Sequence, residues 1–298
     1  MNAHQSCRNN RASSISRYKF NYPSPRVKWA TQDLVPISLI KALLTEIEVS
    51  QRYQFELGDD IMTYSPNLAQ GSPQSSPQSS PQSSPQSEGD DLFLVVSGMV
   101  RLLARNESLQ KTVSVACLGP GDAFGCDRTF CGHPLPYRAR AAAPCQLVWL
   151  PARALEQALS QWPLLLGYLQ RQMQLRSQLA FFKQCTPLGA VPSTTLVRRL
   201  LPHLIKQPLQ TGNTLAHYPL TASDYLWLRQ GCLLNPSAPD RSPRVGDGWF
   251  YSPPLGNWIA QTEGLLYRLT FNTPELNDLK LLLQLPMETN QSSRRAAQ

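Results

Sequence analysis

The sequence is poor in charge and in histidine. Acidic and basic residues make up only 16% of the chain, and its four histidines, His4, His133, His203 and His217, are scattered. None stands in a motif that would pair it with a nucleophile or a metal. G-x-S-x-G, H-E-x-x-H and G-x-x-x-x-G-K-S/T are all absent. Hydrolytic, zinc-peptidase and P-loop chemistry therefore have no foothold, and we expect no catalytic residue and no enzyme. No C-x-x-C pair occurs either. The seven cysteines (Cys7, Cys117, Cys126, Cys131, Cys145, Cys185 and Cys232) are odd in number and dispersed. That excludes a disulfide framework and favours buried thiols in a reducing, cytoplasmic setting. No apolar run approaches the ~20 residues of a membrane span. The first thirty residues hold no apolar core, which argues against a secretory signal. The chain reads as soluble. Acids are missing altogether from residues 1–30, where Arg8, Arg11, Arg17, Lys19, Arg26 and Lys28 supply six positive charges toward the net +8. Such an arm could touch nucleic acid, an anionic membrane or an import receptor; the simpler expectation is a solvated, disordered tail.

Apolar side chains and turn residues, by contrast, are plentiful. Hydrophobic residues are 42% of 298, enough for about two cores, and proline reaches 26. The segment "SPQSSPQSSPQSSPQS", Ser72–Ser87, repeats one tetrapeptide four times. Proline at every fourth position forbids helix and sheet, and nothing in it can be buried. It falls between two strand-like pieces, Asp60–Tyr64 and Leu92–Val96. Loop-closure entropy grows only logarithmically with length, so the segment reads as an expanded hairpin loop, 66–90, rather than a domain linker.

Beyond it, Met99–Ala104, Lys111–Leu118, Tyr137–Ala143 and Leu147–Leu150 are short β-type runs separated by turns such as "GPGD", Gly119–Asp122. Many short strands of this kind indicate a sandwich or barrel. Helices follow at Ala152–Gln161 and Leu164–Lys183. In the longer one Leu166, Leu169, Met173 and Ala180 share a face, while Leu175, Leu179 and Phe182 lie on the opposite side. A helix apolar on two sides must touch two bodies. One is its own barrel; the other is a partner chain, a second copy or the next domain. The pattern then restarts with a helix over Ser193–Leu204 that Ser193 would cap. Strands at Tyr225–Leu228 and Leu265–Leu269 come next, then a last helix begun by Thr273 and Pro274 and reaching about Leu285.

The two halves align. "FELGDDIMTYSP" faces "PLQTGNTLAHYP", "DLFLVVSGMVRLL" faces "DYLWLRQGCLL", and "LGPGDAFG" faces "RVGDGWFY". The landmark pairs Gly58/Gly212, Gly98/Gly231, Gly121/Gly246 and Leu150/Leu269 keep their order at offsets of 154, 133, 125 and 119 (212 − 58, 231 − 98, 246 − 121, 269 − 150). The largest change in offset falls where the Ser-Pro-Gln insertion sits, so a single insertion accounts for most of the misregister.

With "FELGDDI", "LFLVVSGMVRLL", "LGPGDAFGCDRTF" and "YRARAAAPCQLVWL" in this order, the first half resembles the cyclic-nucleotide-binding domain, the sensor of catabolite-activator-type regulators. The resemblance covers about Ile37 to Lys183; the second half, Pro192 to Leu285, resembles the same fold faintly. It implies a mainly β, α+β architecture of two tandem jelly-roll barrels with flanking helices. The implied boundaries are a basic tail at 1–30, a first domain at 31–185, a degenerate second barrel at 186–286 and a tail at 287–298. The resemblance also implies a phosphate-binding segment, here Phe124, Gly125 and Cys126 with Arg138 or Arg140. In the family a glutamate follows Phe-Gly and accepts the ribose hydroxyl, and an arginine with helix-terminal amides holds the cyclic phosphate. This chain has Cys126 in place of the glutamate, and counting back from Cys145–Leu150 puts the arginine slot near Leu135. A cyclic nucleotide is the one cofactor the resemblance admits.

"CDRTFCGH" offers Cys126, Cys131 and His133 as soft ligands but lacks the four closely paired ligands of a structural zinc site, and no metal is expected. Tandem domains with a degenerate pocket also resemble regulatory segments of peptidase-containing ABC transporters of cyanobacterial type. The expected function is non-catalytic sensing or regulation through protein contacts, by a partner or a homodimer formed along Leu164–Lys183. The alternative is a transcription regulator of the same sensor class whose C-terminal half binds DNA; Leu226, Trp227 and Leu228 should then not form a strand.

Overall fold

A computed structural model describes residues 51–63, 91–131, 135–237, 239–271, 276 and 279–280, all within the compact unit 32–298. The basic arm, the Ser-Pro-Gln segment, His133, the C-terminal tail and most of the expected last helix lie outside the described residues.

Local sequence pattern sets the strands. β3 (Leu92–Ser97) is apolar over its first five residues and is covered on both faces. β4 (Val100–Asn106) alternates, burying Val100, Leu102 and Ala104 and exposing Arg101 and Arg105. Between them Gly98 turns at φ +79°, and a Cβ there would meet the Pro144 carbonyl oxygen at 2.1 Å, so only glycine fits. The other strands of the first half are β1 (Gln51–Phe55), β2 (Asp60–Thr63), β5 (Lys111–Leu118), β6 (Ala123–Phe124), β7 (Arg138–Ala141) and β8 (Cys145–Leu150). They form two four-stranded sheets, β1-β8-β3-β6 and β2-β7-β4-β5, with every pairing antiparallel. Phe55, Phe93, Val95, Leu102 and Leu147 belong to the core between them.

The second half repeats this wiring. Its strands are β9 (Ile205–Leu209), β10 (Asp224–Gln230), β11 (Leu233–Leu234), β12 (Gly248–Phe250), β13 (Ile259–Ala260) and β14 (Gly264–Thr270). The order β9-β14-β10-β12 reproduces β1-β8-β3-β6, and β11-β13 reproduces the β4-β7 pair. Individual hydrogen bonds match at the offsets read from the sequence. Gly58 N–H donates to the Ala141 carbonyl and Gly212 N–H to Ala260; Gly121 N–H donates to Val95 and Gly246 N–H to Leu228. The carboxylates of Asp122 and Asp247 each accept the backbone N–H three residues earlier, at 2.8 Å in both. All six paired glycines have positive φ. Two strands have no full counterpart: where β2 would stand there is a 3₁₀ turn, Leu215–His217, preceded by a single bridge from Thr214 to Ile259, and where β5 would stand the described residues between β11 and β12 contain only a 3₁₀ turn, Pro239–Arg241.

The described residues of the first half also form three α-helices: α1 (Asp127–Cys131), α2 (Ala152–Gln161) and α3 (Pro163–Cys185). α3 does touch two bodies. Leu165, Leu169 and Met173 cover the outer face of β3 and β8 (Leu92, Leu94, Val148, Leu150). The second body it touches is the next barrel. Phe182 packs edge-on against Trp227 at 5.1 Å and stacks on Tyr267 at 5.7 Å, and Phe181 meets Tyr267 at 5.3 Å. Tyr225, Trp227, Tyr267 and Leu269 form the face of the second sheet that corresponds to the one α3 covers in the first. The face division drawn from periodicity needs two corrections: Ala180 belongs to the core shared with Phe181 and Phe182, and Leu165 rather than the half-buried Leu166 leads the first face.

The helix expected over Ser193–Leu204 is a composite. It is α-helical at Ser193–Thr195, π at Leu196–Leu200 and 3₁₀ at Leu201–His203. Ser193 is not its cap. Pro192 holds that position, and the Ser193 hydroxyl donates instead to the Ser114 carbonyl at 3.2 Å. Leu226, Trp227 and Leu228 lie inside β10. The six described cysteines are free thiols, and no helix among the described residues is long and apolar enough to cross a membrane.

Candidate functional site

The phosphate-binding segment expected from the sequence begins at the end of β6. Phe124 is fully buried and stacks on Phe93 at 5.2 Å. Gly125 has φ +101°, and a Cβ there would come within 2.5 Å of the Asp91 carbonyl oxygen. Cys126 is fully buried against Leu92, Leu94 and Leu155 in the helix-covered core, so its side chain does not line an open pocket.

Three residues that the sequence reading passed over close this segment from within. Asp127 opens α1. Tyr137, just before β7, donates its hydroxyl proton to the Asp127 carboxylate and accepts the Gly125 N–H at 3.2 Å. Arg176 rises from α3, with its guanidinium 4.0 Å from the Asp127 carboxylate and a bond of 2.6 Å to the Ala123 carbonyl. Both charged side chains are only 4% exposed. The backbone N–H of Gly125 and the start of α1 thus already face groups supplied by the chain, an acid-phenol-guanidinium set that balances its own charge. A signal for Arg176 was present: it falls on the Leu169–Met173 face of α3, where a cation has no reason to lie unless a buried anion awaits it. Nothing in the local sequence singled out Asp127 or Tyr137.

Arg138 and Arg140 are not brought to this segment. Both sit on β7, where Ala139 and Ala141 point inward and the arginines point out. Arg140 is occupied on the surface by Asp60, at 2.9 Å. The position counted as the arginine slot, Leu135, is buried in the first barrel's core.

Burial raises the Tyr137 hydroxyl and the Cys126 thiol well above their ordinary ranges, and the Asp127 charge adds to both shifts. For Cys131, at the end of α1, burial and then Asp127 push the thiol from 9.0 to about 11. The folded-state value of Cys131 lies above its unfolded one, so its contribution to stability is fully present below about pH 9 and is lost as pH rises toward about 11. The urea midpoint should therefore fall across that interval, and Cys131→Ala should make the fall shallower. An unchanged slope in the variant would remove Cys131 from the account.

Residues 84–161 match the family model of the cyclic nucleotide-binding domain. Over that segment the chain is similar to the cyclic nucleotide-binding domain. No curated protein matches it. Among solved structures it is similar to the regulatory domain of Toxoplasma gondii PKA crystallised with cAMP, at 15% identity over 85% of this chain and 89% of that one, TM-score 0.31. It is also similar to the c-di-GMP-responsive global regulator CLP of Xanthomonas campestris (18% identity, 55% of this chain and 70% of that one, TM-score 0.37). A third likeness is to the heme domain of CooA from Carboxydothermus hydrogenoformans (19% identity, 43% and 76% coverage, TM-score 0.30).

Proposed function

We propose that this chain is a non-catalytic regulatory protein of the cytoplasm. Its first barrel keeps the cyclic nucleotide-binding fold, has lost the nucleotide pocket, and acts through protein contacts. The observation that carries this reading is the Asp127–Tyr137–Arg176 set. A buried carboxylate now stands at the start of α1, with a guanidinium bound to it, beside a segment that lacks both the glutamate (Cys126) and the arginine (Leu135) of the family pattern. An entering cyclic phosphate would find the nearby guanidinium already balanced by a carboxylate, with no free cation to hold it. The matching hydrogen bonds and glycines of the two halves support a tandem duplication, with domains at 31–185 and 186–286. The reading also makes α3 a shared strut between the barrels.

Calorimetric titration with cyclic AMP and cyclic GMP tests it. The expected result is no heat and no thermal shift at millimolar nucleotide. Tight binding that disappears in Arg138→Ala would overturn the reading, because it would place an outward arginine in a working pocket. The DNA-binding alternative finds less support: after Lys183 the described chain runs through a composite helix ending at His203 directly into β9 and β10, with no pair of helices arranged to enter a groove.

A further inference from the structure

β5 is the terminal strand of its sheet, paired with β4 on one side and with no other strand among the described residues on the other. Its eight residues span about 26 Å at roughly 3.3 Å per residue. An open groove of about 770 Å³ runs along its free side, with residues 113–117 of β5 as one wall. Leu179 and Lys183 of α3 and the connector through Pro192, Val197 and Arg198 form the other wall. The lining is largely aliphatic. Lys111 and Arg198 stand exposed at it, neither has an ion-pair partner among the described residues, and none of its lining residues is acidic. Lys183 is spoken for, donating to the carbonyls of Gly189 and Val191. Backbone of the edge is already in contact with the groove's other wall: the Ser114 carbonyl accepts the Ser193 hydroxyl at 3.2 Å, and both residues line the groove.

An unpaired strand edge beside an apolar wall is the arrangement that accepts an added strand, with main-chain hydrogen bonds supplying affinity and alternate side chains supplying selectivity. We propose that the β5 groove binds an extended peptide of a partner protein that alternates apolar residues with carboxylates. The apolar residues would face Leu179 and Val197, and the carboxylates would face Lys111 and Arg198. The peptide chemistry follows from the wall being consecutive backbone of an edge strand; the acidity follows from the cationic, acid-free lining. This names the kind of partner for the protein-contact function proposed above and rests on that reading. Its test reads β5 rather than Phe124–Cys126, so either can fail alone.

The probe is an acetylated octapeptide of alternating valine and glutamate, titrated by fluorescence anisotropy and by hydrogen exchange on the full chain. The expected result is saturable binding with slowed exchange at Lys111–Leu118. Lys111→Glu combined with Arg198→Glu, both surface changes that leave the core intact, should weaken binding at least about tenfold, equivalent to ~1.4 kcal/mol. A peptide with every second amide N-methylated on its pairing edge should not bind. The proposal fails if the octapeptide does not saturate at millimolar concentration. It also fails if the N-methylated or a valine-lysine peptide binds equally well, or if decanoate displaces the probe while β5 exchange is unchanged, which would make the groove an amphiphile site. Finally, it fails if sedimentation shows a dimer whose β5 amides are protected without peptide, since the occupant would then be a second copy of this chain.

Discussion

Arg176→Ala is expected to destabilise the first barrel by about 3–5 kcal/mol, the range found when one partner of a buried ion pair is removed. Arg176 and Asp127 are each 4% exposed, so the Asp127 carboxylate cannot recover water when the guanidinium leaves. The bond to the Ala123 carbonyl is lost as well. If charge is the cause, adding Asp127→Asn to Arg176→Met should recover most of the loss, because an amide can still accept from Tyr137 and carries no charge to strand. Urea denaturation of the single and double variants measures this directly. Strictly additive losses would mean that Arg176 acts by packing along α3 and not through Asp127. The same variants bear on function. Were the internal carboxylate what excludes an anion, Asp127→Asn would be the variant in which weak cyclic-nucleotide binding first became measurable.

Phe182→Ala should have an effect of similar size, about 3–5 kcal/mol for deleting a buried phenyl ring, but at a different place. Phe182 is fully buried and touches Phe181, Trp227 and Tyr267. These contacts join the C-terminal part of α3 to the second sheet, and Arg229 adds a cation over the Phe181 ring at 5.1 Å. The cavity would open at the joint between the barrels and leave the first core whole. Hydrogen exchange should accordingly quicken in β10 and β14 while β3 and β8 keep their protection. Uniform loss across both sheets would show that the two barrels unfold as one unit and that α3 is more than a strut.

How much of this was legible beforehand depends on the range over which each feature is determined. Gly98, Gly121 and their partners Gly231 and Gly246 could be read because a tight turn is settled by a few neighbouring residues, and positive φ selects glycine wherever it occurs. The strands could be read for the same reason: Val100, Leu102 and Ala104 alternate with Arg101 and Arg105, and a one-residue slip would bury both arginines. Ser193 was misjudged because a hydroxyl before a helix satisfies the local rule, whereas its actual acceptor, the Ser114 carbonyl, is remote in sequence and adjacent only in the fold. The site was misjudged similarly. Cys126 and Leu135 showed which family residues are missing, but what fills their place comes from Asp127, Tyr137 and Arg176, on three elements that meet only when α3 folds back over β6.

The sequence by itself determined the barrel architecture, the turn glycines and the absence of the family's glutamate, because period-2 burial and turn glycines are local constraints. Only the tertiary structure decided that α3 serves the second barrel, that a self-balanced buried ion pair closes the segment after Phe124, and that β5 has no second neighbouring strand among the described residues beside a cationic groove. Burial, charge pairing and edge exposure are properties of distant segments brought together, and no stretch of the chain carries them alone.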